Sequence, residues 1–380
     1  MVPELYQKHL KNLLSESQLL FFYLIIIIVQ DTKNVKLEKI AESIPLPIKF
    51  SSRRKKIQRF LSLPVFQIKT LWFPIIREWT NQTFTKDQKI YLAMDRTNWK
   101  NTNLFMISII YKNRAIPVYF ELLSKLGASN LSEQKQLISN IIGLFDNYQV
   151  VVLGDREFCS VKFAQWLDTQ GFQFCLRLKE SAQIELANTG WIPLKNCGLK
   201  PGKSLFFEKV KVTKTQKIKG FSVACKWKKS YRKSVTKEGW FILTNMSSVS
   251  EAIAAYNKRF DIEEMFRDYK SGGYNLEGTN VVDQRFISLV ILISFAYLMS
   301  TIKGEIINKK GVQKYVARVK EYGRSTKRHS SFYIGLYGQK WINFMDECWE
   351  LVEKLMRLSR HKLDNYLRGM RAMKLIQSTF

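Results

Sequence analysis

The chain has 380 residues, 46% of them hydrophobic, enough for two or three cores, and a formal net charge of +29. So large a positive excess points to a polyanionic partner, with nucleic acid ahead of an acidic membrane surface. Only three histidines and five cysteines occur (Cys159, Cys175, Cys197, Cys225 and Cys348), none in C-x2-C spacing, which argues against a zinc or disulfide framework and suits a reducing cytoplasm.

Residues 1–85 read as a helical domain. The start, MVPELYQKHL, is polar and carries no secretory signature, and the apolar run Leu19–Val29, eleven residues long, is too short to span a bilayer. LSESQLLFFYLIIIIVQ, KLEKIAESI and SSRRKKIQRFLS are expected helices, broken by polar linkers and by Pro45 and Pro47. Arg53, Arg54, Lys55, Lys56 and Arg59 form a basic block that either faces DNA in a helix-turn-helix-like arrangement or is merely solvated.

Residues 86–300 form the central domain. IYLAMD, NLFMISIIYK and AIPVYFELL are closely spaced strands suggesting an antiparallel meander. LSEQKQLISNIIGLF has helical periodicity, QVVVLGD is a buried strand, and VKFAQWLDTQ with FQFCLRLK adds a helix and a strand. In this β-β-β-α-β-α-β order Asp95 closes the first strand and Asp155 the fourth, so neighbouring strands would bring both carboxylates to one end of the sheet. From about 178 to 239 the pattern changes to charged, strand-like segments. Between Lys195 and Lys237 there are fourteen Lys/Arg and one acid, Glu208, interleaved with Phe206, Phe207, Trp227 and Tyr231. Such a run is a solvated face or a phosphate-tracking surface, with Lys226, Lys228 and Lys229 as candidate DNA contacts. Phe286–Ile302 is apolar and is read as a buried helix, not a membrane span. Residues 301–380 are again helical and basic, with Lys309, Lys310, Lys314, Arg318, Lys320, Arg324, Lys327 and Arg328 as possible DNA or subunit contacts.

Tyr256, Arg259, Glu263 and Lys270 follow the spacing Y-x2-R-x3-E-x6-K. At about 100° per residue these four fall within roughly 60° of one helix face, putting a carboxylate, two cations and a phenol together. An Arg and a Glu four apart are by themselves usually a solvated pair, and an Asp at a strand end is often a cap or turn former. Taken jointly, Asp95, Asp155 and Glu263 are three carboxylates suited to a pair of Mg²⁺ ions in phosphoryl transfer, with Arg259 and Lys270 holding phosphates beside them. Tyr256 adds a hydroxyl contact.

The motifs DRTNW, LGDREF, WFILT, YNKRFDIEEMFRDYK and SGGYNLEGTN, between about Ile90 and Ala296, resemble those of bacterial insertion-sequence transposases of the DDE type with the Y-R-E-K signature. The resemblance implies an α/β, RNase H-like catalytic domain with a β-rich insertion at the charged segment, flanked by helical N- and C-terminal regions. It implies Asp95, Asp155 and Glu263 as a triad binding two Mg²⁺ ions, with Mn²⁺ able to substitute, and Tyr256, Arg259 and Lys270 on DNA around the scissile phosphate. Cleavage at the terminal inverted repeats and transfer of the 3′-OH ends to target DNA would follow, by a homodimer on paired ends, in a bacterial cytoplasm close to the nucleoid. Trp240, which opens WFILT, is a core residue on sequence alone; the resemblance adds the alternative that it stacks on an extruded base. Two other readings remain open: a structure-specific nuclease without strand transfer, and a non-catalytic DNA-binding regulator derived from a transposase.

Overall fold

The computed structural model describes residues 3–187, 189–214, 218–229, 238–281, 283–318, 322, 328–341 and 345–377. The chain opens with helices α1 (Glu4–Leu10), α2 (Glu16–Thr32), α3 (Leu37–Ser43), α4 (Phe50–Leu61) and α5 (Phe73–Thr83). Strands β1 (Lys89–Trp99), β2 (Thr102–Tyr111) and β3 (Arg114–Leu122) follow, then α6 (Leu131–Ser139), β4 (Gln149–Gly154), α7 (Val161–Thr169) and β5 (Gln173–Arg177). The charged segment holds β6 (Gln183–Leu186), β7 (Gly190–Pro193), β8 (Ser204–Val212) and β9 (Ile218–Lys226), after which come β10 (Trp240–Thr244), α8 (Val249–Asn257) and α9 (Phe260–Tyr269). Helices α10 (Asp283–Lys309), α11 (Ser331–Trp341), α12 (Met345–Leu358) and α13 (Leu363–Gln377) end it. These elements gather into two compact units, one of Met1–Thr83 with Phe266–Phe380 and one of Phe84–Met265. The N-terminal helices therefore share a unit with the C-terminal ones.

In the helical unit, α2 starts at a reciprocal cap. Ser15 Oγ accepts from Gln18 N at 3.3 Å while Gln18 Oε1 accepts from Ser15 N at 3.0 Å, so two free amides of the first turn are satisfied. From Phe21 to Gln30 every residue of α2 is buried, which explains an apolar run without a polar stripe. Its one polar member, Gln30, donates to Ala296 O at 3.0 Å and Ser300 Oγ at 2.9 Å on α10. Phe295 of α10 is edge-packed by Tyr6, Phe22 and Trp72 with ring centroids 4.8–5.0 Å apart. Helix α10 is long and apolar enough to cross a membrane, yet most of its apolar length is buried inside this unit, as expected for a core helix. It meets α11 where Gly304 faces Gly335: a Cβ on either would lie 1.8 Å from a carbonyl oxygen of the other helix.

Among the described residues the other unit is built on one mixed ten-stranded sheet, in the order β3-β2-β1-β4-β5-β10-β9-β8-β6-β7, flanked by helices. The expected meander is present, with β1, β2 and β3 antiparallel, β4 parallel to β1 and β5 parallel to β4. This is the mixed sheet of an RNase H-like domain, and the charged segment is the expected β-rich insertion. The insertion is not a separate layer: β9 pairs with β10 from Trp240↔Lys226 to Thr244↔Ser222, so its strands prolong the same sheet.

One expectation needs correction. Asp95 does not close β1, which runs on to Trp99 because β2 pairs with it as far as Trp99↔Thr102. Only the parallel partner stops: β4 ends at Gly154, opposite Met94. The prolonged part of β1 is held by Glu157, which accepts from Arg96 Nε at 3.1 Å and Nη2 at 3.0 Å, and from Ser129 N at 2.8 Å and Oγ at 2.9 Å. Burial would raise the Glu157 carboxyl, but these bonds outweigh it and hold it below the usual carboxylate range.

Two stability predictions follow from these contacts. Because the Glu157 carboxylate is favoured in the folded state, its contribution is present above the ordinary carboxylate pKa and is lost as pH falls through the lowered one. Glu157→Gln is expected to cost about 1.5–3 kcal/mol at pH 7, with the difference from wild type shrinking below about pH 4. Urea unfolding across that pH range checks it, and an equal deficit at all pH values would rule out the charge as its origin. At the helix crossing, Gly335→Ala should cost about 1–3 kcal/mol by overpacking. An unchanged thermal midpoint would show that α10 and α11 can part at no cost.

Candidate active site

Asp95 and Asp155 each follow the last pair of the parallel β1–β4 ladder, Met94↔Gly154, and so stand side by side. Asp155 leads into a tight turn closed by Phe158 N on Asp155 O at 2.9 Å, and the Phe158 ring stacks on Phe105 of β2 with centroids 5.6 Å apart. The residue after each acid is anchored elsewhere. Arg96 is held by Glu157, and Arg156 shares Glu238 with Arg177, whose Nη2 is 2.8 Å from Glu238 Oε1.

The motif from Tyr256 to Lys270 is not one straight helix, contrary to the single-face expectation. Helix α8 ends at Asn257 and α9 starts at Phe260. Between them the ladder tightens to i→i+3 bonds, Lys258 N on Ala255 O and Arg259 N on Tyr256 O, both 3.0 Å. Asn257 contributes by donating its side-chain amide to Ile253 O at 2.9 Å, in competition with the helical ladder. The turn carries Arg259 inward to 2% exposure, while the Glu263 side chain stays 50% exposed.

Arg259 is where the acids meet. Its Nη2 lies 2.6 Å from Glu263 Oε1 and its Nη1 3.6 Å from Asp95 Oδ2. The guanidinium also lies over the Phe260 ring at 4.6 Å and the Tyr256 ring at 5.7 Å. Its Nε and Nη1 find no hydrogen-bond acceptor among the described residues. Tyr256 Oη donates to Asp155 Oδ1 at 3.4 Å, and burial pushes its phenol up to about 12. Burial likewise pushes the Asp95 carboxyl up to about 6; the Arg96 amide and Arg259 pull it down, and Glu263 and Asp155 push it further up.

With Arg96, Arg156 and Arg177 committed to Glu157 and Glu238, Asp95 and Glu263 pair with the Arg259 guanidinium while Asp155 acts on it through space, so three carboxylates stand against one cation here. Among the described residues no three His, Cys, Asp or Glu side chains converge on one metal-ligating point, since Glu263 and Asp95 turn to Arg259. The donor set itself, carboxylate oxygens only with charge in excess, fits a hard divalent cation.

Trp240 is half-buried, its ring 5.3 Å from Tyr256 and 5.7 Å from Phe260, with Lys228 Nζ 4.7 Å above it. Lys226 pairs across from it on β9, and Lys228 and Lys229 are exposed. The remaining candidates lie in the helical unit. Lys270 Nζ binds Glu277 Oε1 at 2.7 Å, Arg54 Nε binds Glu38 Oε1 at 2.8 Å, and Arg53 Nη1 reaches Ile44 O at 3.4 Å. Tyr231, Lys320, Arg324 and Lys327 lie outside the described residues. Sequence reasoning passed over Arg96, Glu157, Glu238 and Phe260. The first two flank the acids inside DRTNW and GDREF, so adjacency was an available signal; Glu238 and Phe260 had none.

Residues 77–299 match the family described as the transposase DDE domain, and no curated protein matches the chain. Among solved structures the chain is similar to the piggyBac transposase in its synaptic complex with hairpin DNA, at 12% identity and a TM-score of 0.50, over 94% of this chain and 76% of that one. At that identity the likeness speaks for the fold alone. The family match spans more than half of the chain and includes Asp95, Asp155, the insertion, the α8–α9 turn and Glu263; the chain belongs to the transposase DDE domain family.

Proposed function

We propose that the protein is a DNA transposase of the bacterial insertion-sequence, Y-R-E-K type. It binds the terminal inverted repeats of its element, cleaves DNA at the element ends and transfers the 3′-OH ends to target DNA, as a homodimer on paired ends in the nucleoid region of the cytoplasm. Support comes from family membership together with one observation: Asp95, Asp155 and Glu263 gather around the buried Arg259, two of whose nitrogens lack an acceptor.

Asp95, Asp155 and Glu263 would hold divalent ions, Mg²⁺ or in its place Mn²⁺, which when bound ready an attacking oxygen and stabilise the leaving one. The chain's own groups do the rest. The Nε of Arg259, which has no acceptor among the described residues, and its Nη1, held only by the long contact to Asp95, can donate to phosphate oxygens, and a guanidinium excluded from water holds them more firmly than an exposed one. Tyr256 Oη, protonated throughout the physiological range, donates a hydrogen bond and so fixes the orientation of Asp155. Arg156 and Glu238 link the turn after Asp155 to a residue two positions before Trp240, so cleavage geometry and aromatic pocket are set together. Hydrolysis and strand transfer are both in-line displacements at phosphorus, and one set of groups serves both. Incubating the protein with its gene's flanking DNA and Mg²⁺, then supplying pre-cut ends, tests the reading: a transposase forms covalent joints, a nuclease only cuts.

Asp95→Asn, Asp155→Asn and Glu263→Gln are each expected to lower single-turnover cleavage on the order of 100- to 1,000-fold or more with end binding largely kept. Near-normal cleavage by any one removes that residue from the site. For Trp240, stacking on an extruded base is worth about 1–3 kcal/mol, so Trp240→Ala should slow second-strand cleavage roughly 5- to 150-fold, leave the first nick intact and be rescued by an abasic nucleotide. Trp240→Phe keeps the packing against Tyr256 and Phe260 and should be mild. Equal slowing of both steps without rescue assigns the ring to packing.

A further inference from the structure

Within the helical unit a groove of about 970 Å³ runs between α4 and α13. Its cations come from both sides, Arg53, Lys55, Lys56 and Arg59 on α4 with Lys362 and Arg368 at the start of and within the C-terminal segment, and among the described residues no acidic side chain lines it. The neighbouring Arg54 is paired with Glu38, so the basic block read from the sequence splits into a neutralised position and an unneutralised face.

The groove is built by the backbone. A Cβ at Gly369 would lie 1.8 Å from Pro47 O, so α13 rests directly on the segment that leads into α4, and the buried Tyr366 anchors it one turn earlier. Like charges are thereby held together at a cost. Burial and then the nearby Lys362 lower the Lys56 ammonium below its ordinary range, and Arg53 Nε is buried without an acceptor. A ligand carrying regularly spaced negative charge removes that cost, and a lone anion would leave most of this length of cations unmatched.

We propose that the α4–α13 groove binds the phosphate backbone of duplex DNA without reading its bases. The proposal rests on the transposase reading for its partner and assigns the C-terminal helix to DNA contact jointly with α4.

The test is equilibrium binding of the full chain, in chelator so that no strand is cut, to a fluorescent duplex of arbitrary sequence over a salt series. Lys55, Arg59 and Arg368 are exposed, so replacing them should leave the thermal melt unchanged. Lys55→Ala/Arg59→Ala/Arg368→Ala is expected to reduce the slope of log affinity against log salt by about two to three and to weaken binding on the order of 100-fold at moderate salt. Arg368→Ala alone should reduce the slope by about one, and Arg59→Lys/Arg368→Lys should restore it. If wild type binds duplex and the triple variant keeps its slope and affinity, the groove proposal is overturned while the transposase reading stands. If wild type binds no duplex at all, both fall. Polyglutamate binding that the triple variant loses while keeping its DNA affinity would overturn the proposal in favour of an acidic polypeptide.

Discussion

The catalytic unit depends on keeping one guanidinium charged out of water. Burial works against the charge of Arg259, and Tyr256, Asp155, Glu263 and Asp95 together outweigh it, so its proton is held more tightly than in solution. The dependence is mutual. Removing either side would leave an uncompensated buried charge, an error of several kcal/mol. A strand pair, a tight turn and the first turn of α9 are thus fixed against one another by a demand that no apolar contact imposes. The break between α8 and α9 falls at this residue, so Arg259 sits where one helix hands over to the next.

Much of this architecture was legible in the chain. The length and spacing of IYLAMD, NLFMISIIYK and AIPVYFELL suggest a meander, and the apolar VVVLG reads as a buried strand, which the structure places parallel to β1. The side-by-side aspartates follow from that pairing. What stayed hidden depended on partners distant in sequence or on side-chain detail. Helix α1 has few apolar residues, and Tyr6 becomes core only because Phe295 lies 289 positions away, its carbonyl accepting from Tyr6 Oη at 2.7 Å. The turn at Lys258 and Arg259 arises from a local competition for the Ile253 carbonyl that periodicity does not register. Arg53 and Arg54, adjacent and alike in sequence, part company because one of them meets Glu38.

The clamps around the acids show how rigidity is supplied by ion pairs that lie beside the aspartates and do not consume them. Glu157 holds Arg96 and Glu238 holds Arg156, the residues that directly follow Asp95 and Asp155, so the backbone beside each aspartate is pinned by a carboxylate other than its own. Hydrogen-bonded supports of this kind hold reacting groups within fractions of an ångström.

The continuity of the sheet bears on how such a chain can change over time. Strand β10 follows the insertion in sequence but lies between β5 and β9, so every backbone group on one side of WFILT is satisfied by the insertion. Excising the charged segment would bare an apolar strand edge, the kind of surface that recruits other chains into aggregates. Whatever its lysines contact, the segment's backbone cannot be dispensed with, which makes it the catalytic sheet's protective border.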